Sequence, residues 1–234
     1  MPSLIGVTYT GRRTWSAHVL LLIASGVVAS AQIGKAIISI PLIRDDLALG
    51  LDLAGLIVAI FATLGATMGI GAGVAVGRLG VRRSLIGGMS AVAVGNVIGA
   101  AAPDEFVLLA ARIIEGVGFI GVVLAIPSML AQLVGRDVRD IVMAVWSAYM
   151  PAGIMLMLFA GPLLPTIGWR KFWLANALVA SICAVLLASY APLIVLGISF
   201  GGVLYSAYLT YLELYVIEAI CAYCVVSAIL ITLI

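Results

Sequence analysis

The sequence predicts an all-α, polytopic membrane protein of about eight transmembrane helices, a six-helix bundle followed by a two-helix segment. Three observations carry that prediction. Of 234 residues, 12 are Lys or Arg and 10 are Asp or Glu, so 9% of the chain is charged, against roughly a quarter in a soluble domain. Hydrophobic residues make up 65% and the mean hydropathy is +1.30, more apolar surface than a water-soluble interior can hide. Long charge-free runs recur along the chain, and backbone polar groups in lipid must be satisfied within each helix. A soluble globule is excluded. The net charge is only +2, and the basic residues are scattered over short loops, which gives nucleic-acid binding no footing. Three cysteines cannot build a disulfide framework. The lipid bilayer is therefore the first expected partner.

The charge-free runs are 14–34, 53–77, 84–103, 116–135, 141–169, 172–212 and 219–234, and a crossing needs about 20 apolar residues. The sixth run spans 41 residues and contains Pro192, so it divides in two. The expected helices lie near 15–43, 53–76, 84–102, 105–134, 139–164, 172–190, 193–216 and 218–234. In the first, Lys35 is a charge inside a span, facing either a solute path or an interface by snorkelling. Arg12-Arg13, the apolar run from Val19 and Ala29-Ser30-Ala31 also resemble a secretory signal with an A-x-A cleavage site. Against cleavage, the apolar run continues through Ile37 to Ile43.

The second helix carries Gly65, Gly69, Gly73 and Gly77, one every four residues, the spacing that lets helices approach closely in lipid. Gly95 and Gly99, and Gly197 and Gly201, repeat it. Met143, Met150, Met155 and Met157 around Pro151 predict a pliable, kinked fifth helix. With the N-terminus inside, the cytoplasmic segments hold Arg12, Arg13, Arg78, Arg82, Arg83, Arg136 and Arg139, while the outer loops hold only Arg44, Arg170 and Lys171. That asymmetry places both termini in the cytoplasm of a cell with an inner membrane.

Between the second and third helices stands Gly73-x-x-x-Gly77-Arg78-x-Gly80-x-Arg82-Arg83. Here the chain resembles the major facilitator superfamily, whose signature in this loop is G-x-x-x-D-R-x-G-x-R-R. Gly77 replaces the aspartate that latches the family's cytoplasmic gate. The fourth helix carries Arg112-Ile-Ile-Glu115-Gly116-Val-Gly118, similar to the family's R-x-x-Q-G-x-G, with Glu115 in the glutamine's place. Arg112 and Glu115, three residues apart, can neutralise each other. Gly161-Pro162 and Gly168-Trp169-Arg170-Lys171-Phe172-Trp173 resemble the G-W-R-x-x-F stretch that opens the family's sixth helix. The resemblance, over residues 15–190, implies a solute transporter needing no cofactor, with proton coupling associated with Arg112. It also implies two six-helix halves, of which this chain supplies one. A second half-transporter or a homodimer would complete it.

Composition changes near residue 190, dividing the chain into 1–190 and 191–234. Tyr205, Tyr208, Tyr211 and Tyr215 recur at helical spacing. Cys221-Ala-Tyr223-Cys224 is a C-x-x-C at the start of a helix, where the helix N-terminus favours a thiolate. A metal site lacks ligands, since His18 is the only histidine. Tyr205 through Ser227 resembles the last two core helices of bacterial vitamin K epoxide reductase homologues. That resemblance implies thiol-disulfide oxidoreductase chemistry at Cys221 and Cys224 on the outer face. It further implies a quinone near Tyr205, Tyr208, Tyr211 and Tyr223, and a thiol-redox protein as partner. Cys183 is expected to be a buried packing residue.

Three functions follow. The leading one is transport of a small solute, with Lys35, Arg112 and Glu115 in transport or coupling and Gly73, Gly77, Arg78, Gly80, Arg82 and Arg83 in the gating loop. The alternative is quinone-linked oxidoreductase catalysis. A third is a hybrid or truncated chain in which neither activity is complete.

Overall fold

The computed structural model describes residues 17–189. These belong almost wholly to the first of two units into which the chain divides, Met1–Leu187. The seventh and eighth expected helices, with Gly197, Gly201, the tyrosine stripe, Cys221, Tyr223 and Cys224, lie outside the described residues. Among the described residues every regular element is helical: α1 (Ala17–Leu47), α2 (Leu51–Leu79), α3 (Val81–Ala100), α4 (Glu105–Leu133), α5 (Arg139–Ser147), α6 (Tyr149–Ala160), α7 (Leu164–Ile167) and α8 (Trp169–Ala188). A 3-10 turn, Gly161–Leu163, joins α6 to α7.

Among the described residues five stretches are long and apolar enough to cross a membrane: α1, α2, α4, α8 and the Arg139–Ile167 stretch made up of α5, α6 and α7. α1 alone, at 31 residues, is about 46 Å long. α3 opens on Arg82 and Arg83 and carries Ser84, Ser90 and Asn96; it packs along α4 more extensively than any other pair of helices. Large apolar side chains on the outside, such as Ile70, Phe106 and Phe159 at 91%, 72% and 75% exposure, suit lipid and would be costly in water.

Local chemistry sets the helix ends. Asp104 caps α4, its Oδ1 accepting from the Val107 N–H at 2.9 Å, and so satisfies one of the orphan donors of a first turn. α2 and α3 are separated by Gly80 alone, at φ +88°, a conformation that glycine adopts without the clash a Cβ brings. The fifth span breaks at Ala148, between α5 and α6. Pro151 cannot donate to the Ser147 carbonyl and its ring crowds that group, so the expected kink falls where the proline dictates. The A-x-A stretch lies in the middle of unbroken α1, with Ala29, Ser30 and Ala31 all buried and the Ser30 hydroxyl donating to the Tyr149 carbonyl at 2.8 Å.

The described residues leave the glycine stripe of α2 uncovered. Nothing in the described structure comes within 4 Å of a Cβ placed at Gly65, Gly69, Gly73 or Gly77. α2 meets α4 through the face bearing Ile57 and Phe61. A row of residues four apart drifts about 40° around the helix per step, so the stripe turns away from that face. Among the described residues the close approach is between α3 and α4. A Cβ at Gly88 would stand 2.7 Å from the Gly118 carbonyl oxygen, and one at Gly118 would stand 2.5 Å from that of Gly88. Gly95 and Gly99 continue the contact, as their spacing predicts. Cys183 is buried in the apolar core beside Ala180 and Ala184.

Candidate functional site

Lys35, Arg112 and Glu115 are brought together in the middle of the bundle, and all three are fully buried. Lys35 stands on α1 and donates from Nζ to Glu115 Oε1 of α4 at 2.8 Å and to Asn96 Oδ1 of α3 at 2.6 Å. It does not snorkel to an interface. Arg112, one turn before Glu115, donates from Nη1 to Glu115 Oε2, the intrahelical pair that the sequence predicts. The same Nη1 reaches the Gln32 carbonyl at 3.2 Å, and Nε reaches the Ile57 carbonyl of α2 at 3.3 Å. Each carboxylate oxygen of Glu115 thus faces one cation, the arrangement that makes a buried ion pair tolerable.

Two amides extend the network. Asn96 Nδ2 donates to Gln32 Oε1 at 3.0 Å and to the Val92 carbonyl at 2.8 Å, while Gln32 Nε2 donates to the Val28 carbonyl at 2.9 Å. Aromatic faces close it. Lys35 Nζ lies 3.7 Å from the centre of the Trp173 ring of α8, and Arg112 Cζ lies 4.2 Å from that of Phe61 of α2, distances at which the ring quadrupole attracts a cation. Trp173 is held by its Nε1, which donates to Ser39 Oγ of α1 at 3.2 Å. α1, α2, α3, α4 and α8 therefore all contribute.

Glycines make the room. A Cβ at Gly95 would meet Glu115 Cγ at 2.5 Å and the Ala111 carbonyl oxygen at 2.9 Å, and one at Gly99 would collide with the Trp173 ring. Arg112 Nη2 is buried without a hydrogen-bond partner. With all three groups ionised, two cations and one carboxylate give the cluster one excess positive charge. It can hold and redistribute charge, and a group that gains or loses a proton here changes the balance of every neighbour.

A second polar assembly ties the ends of three helices. Arg170 Nη2 pairs with Asp46 Oδ2 at 3.0 Å, and its Nη1 donates to the carbonyls of Ala100 and Ala102 at 3.0 and 2.8 Å. Trp169 Nε1 also donates to Asp46 Oδ2, at 3.2 Å. The G-W-R stretch, with Gly168 at φ +79°, is therefore a staple joining the last turn of α1, the end of α3 and the start of α8. A cavity of about 550 Å³ opens at this end between Asp45, Asp46, Leu164, Trp169 and Lys171. It is remote from the buried cluster, three turns along α1 from Lys35.

The loop residues occupy the α2–α3 turn. Gly73 and Gly77 lie in the last turns of α2, Gly80 forms the turn, and Arg78, Arg82 and Arg83 are exposed. Sequence reasoning missed Gln32, Ser39, Asp46 and Asn96. Amides within otherwise apolar runs were the available signal for Gln32 and Asn96, since polar side chains in lipid seek partners. No cluster of three potential metal ligands occurs among the described residues.

Apolar helices long enough to cross a membrane, packed around a buried charge network, are the architecture of a polytopic membrane protein. Residues 20–195 match the Major Facilitator Superfamily, and the chain belongs to that family. It is 29% identical over 184 residues to the protein named "Uncharacterized MFS-type transporter EfpA" of Mycobacterium tuberculosis, in strains CDC 1551 / Oshkosh and ATCC 25618 / H37Rv alike. The alignment covers 75% of this chain and 33% of those relatives, so the chain matches about a third of their length. The family match stops before the C-x-x-C.

Proposed function

We propose that the chain supplies a six-helix half of a secondary transporter that moves a small solute across the cell membrane, coupled to protons through the Arg112–Glu115 pair. The observation that carries the proposal is the buried Lys35–Asn96–Glu115–Arg112 network. Ionised groups at membrane depth are costly and mark ion or proton pathways. Alternating access needs two bodies that rock against each other around a site near the bilayer midplane. The second body is a further six-helix half or a second copy of the chain. The glycine face of α2, open among the described residues, is a surface suited to its approach. No cofactor is needed for this activity. The seven-to-three excess of basic residues on one side supports cytoplasmic termini.

One observation favours a second reading. The C-x-x-C of Cys221 and Cys224, at the end of the chain, has the spacing of a redox pair and would serve a quinone-linked oxidoreductase. Both readings are tested by one crossed experiment. Proteoliposomes holding the full chain are offered a panel of small solutes and, separately, a dithiol with a soluble quinone. Transport predicts uptake of at least one solute that Arg112→Ala abolishes and Cys221→Ser spares. Quinone reduction lost in Cys221→Ser and retained in Arg112→Ala would establish the second reading instead. If the wild type does neither, the second-copy form of the transport reading and the quinone reading both fail.

A further inference from the structure

Among the described residues the buried ionisable cluster contains two cations, Lys35 and Arg112, and a single carboxylate, Glu115; every other Asp or Glu is at least partly exposed. In hydrocarbon an unbalanced charge is unfavourable, so the protonation state that the closed cluster prefers is the one that brings it to neutrality. Protonating Glu115 would leave two cations without an anion and would replace an acceptor on an oxygen that already receives Lys35 or Arg112. Arg112 does not give up its proton in a protein. Lys35 remains, and its loss of one proton makes the sum zero.

The geometry permits that loss without breaking a hydrogen bond. A neutral amine keeps two N–H donors, and Lys35 Nζ has two acceptors, Asn96 Oδ1 at 2.6 Å and Glu115 Oε1 at 2.8 Å. Only the attraction to the Trp173 ring is weakened. Among the described residues the ionisable groups that meet Lys35 are Arg112 and Glu115, both from α4. α3 contributes Asn96 and α8 contributes Trp173, neither of which titrates. α2 turns Ile57 and Phe61 toward Arg112. α6, on the other side of α1, brings Ile154 and Met157 against Gly34 and the Tyr149 carbonyl against Ser30.

We propose that Lys35 is the group that carries the coupled proton, while Glu115 and Arg112 stay a fixed ion pair that positions it. The step is a single proton transfer: the Lys35 ammonium gives H⁺ to water that reaches the cluster when the bundle opens, leaving an amine, and the reverse reloads it. This inference rests on the proton-coupled reading above and assigns the proton itself to Lys35, with the Arg112–Glu115 pair acting through its position and charge.

The chain has only two lysines, Lys35 and Lys171, which makes a direct test clean. The full chain, labelled with ¹⁵N at lysine Nζ and ¹³C at glutamate carboxyls, is placed in lipid nanodiscs. Spectra are taken across about pH 5 to 9, with Lys171→Arg and Glu115→Gln identifying the signals. The proposal expects Lys35 to pass from ammonium to amine while Glu115 keeps its carboxylate signal. A pH jump should release about one proton per chain from this site, lost in Lys35→Arg, whose guanidinium keeps its charge. A titrating Glu115 beside an unchanging Lys35 would overturn the assignment and leave proton coupling standing. If neither signal moves, the assignment and the proton-coupled reading both fall.

Discussion

Glu115 is the residue on which the interior of the bundle depends, because among the described residues its two oxygens are all the negative charge that Lys35 and Arg112 share. Replacing it by Gln leaves the Arg112 guanidinium buried beside Lys35 with no anion, a change of the kind that costs about 3–5 kcal/mol. Replacing Lys35 by Met leaves one cation and one carboxylate, so its cost should be the smaller. Thermal unfolding of the detergent-solubilised protein should place Glu115→Gln well below Lys35→Met; the opposite order would refute the charge count. Arg112 and Glu115 were legible in the sequence because an ionised pair stands out in an apolar run. Gln32 and Asn96 were not, since an uncharged amide disturbs hydropathy little and their partners lie 61 to 80 positions away along the chain. Trp173 is fully buried with its indole donating to Ser39, a role that its place just after Arg170 and Lys171 does not show.

Among the elements, the α3–α4 pair sets the geometry of the site, through Gly88, Gly95 and Gly118. Gly95→Ala should push Glu115 or part the two helices, at about 1–3 kcal/mol of overpacking cost. Gly73→Ala, on the open face of α2, should be neutral or raise the stability of the bundle by up to about 1 kcal/mol, because alanine favours the helix. If that face receives the second half of the transporter, Gly73→Ala will lower transport without lowering stability. A stability loss at Gly73 equal to that at Gly95 would contradict the assignment of faces. At the other end, Arg170→Ala should loosen the staple by about 1–2 kcal/mol and increase amide exchange at the end of α3. Spacing alone revealed small-residue rows but not which of them is covered, since a neighbour is set by tertiary packing. The break at Ala148 was legible because Pro151 enforces it locally. The start of α8 at Trp169, and not at Phe172, was not legible, because Arg170 and Lys171 read as loop charges. Arg170 is instead occupied by Asp46 and two carbonyls.

At the scale of the whole molecule, residues 20–195 carry the family match, and the curated relatives that the chain matches are about three times as long as the matched stretch. The basic-residue asymmetry predicts that Cys221 and Cys224 face outward. After reduction, a membrane-impermeant thiol reagent added to intact cells should label both cysteines; labelling only after the cells are opened would reverse the topology. Transport, proton coupling and the buried cluster are one claim, and proton movement driven by solute tests it most directly. Proteoliposomes holding the full chain and a trapped pH dye are given a solute that the panel identifies. The account predicts a change in internal pH that depends on the solute and disappears in Arg112→Ala. Solute uptake with no accompanying change in internal pH, or a pH change equally large in Arg112→Ala, would contradict it.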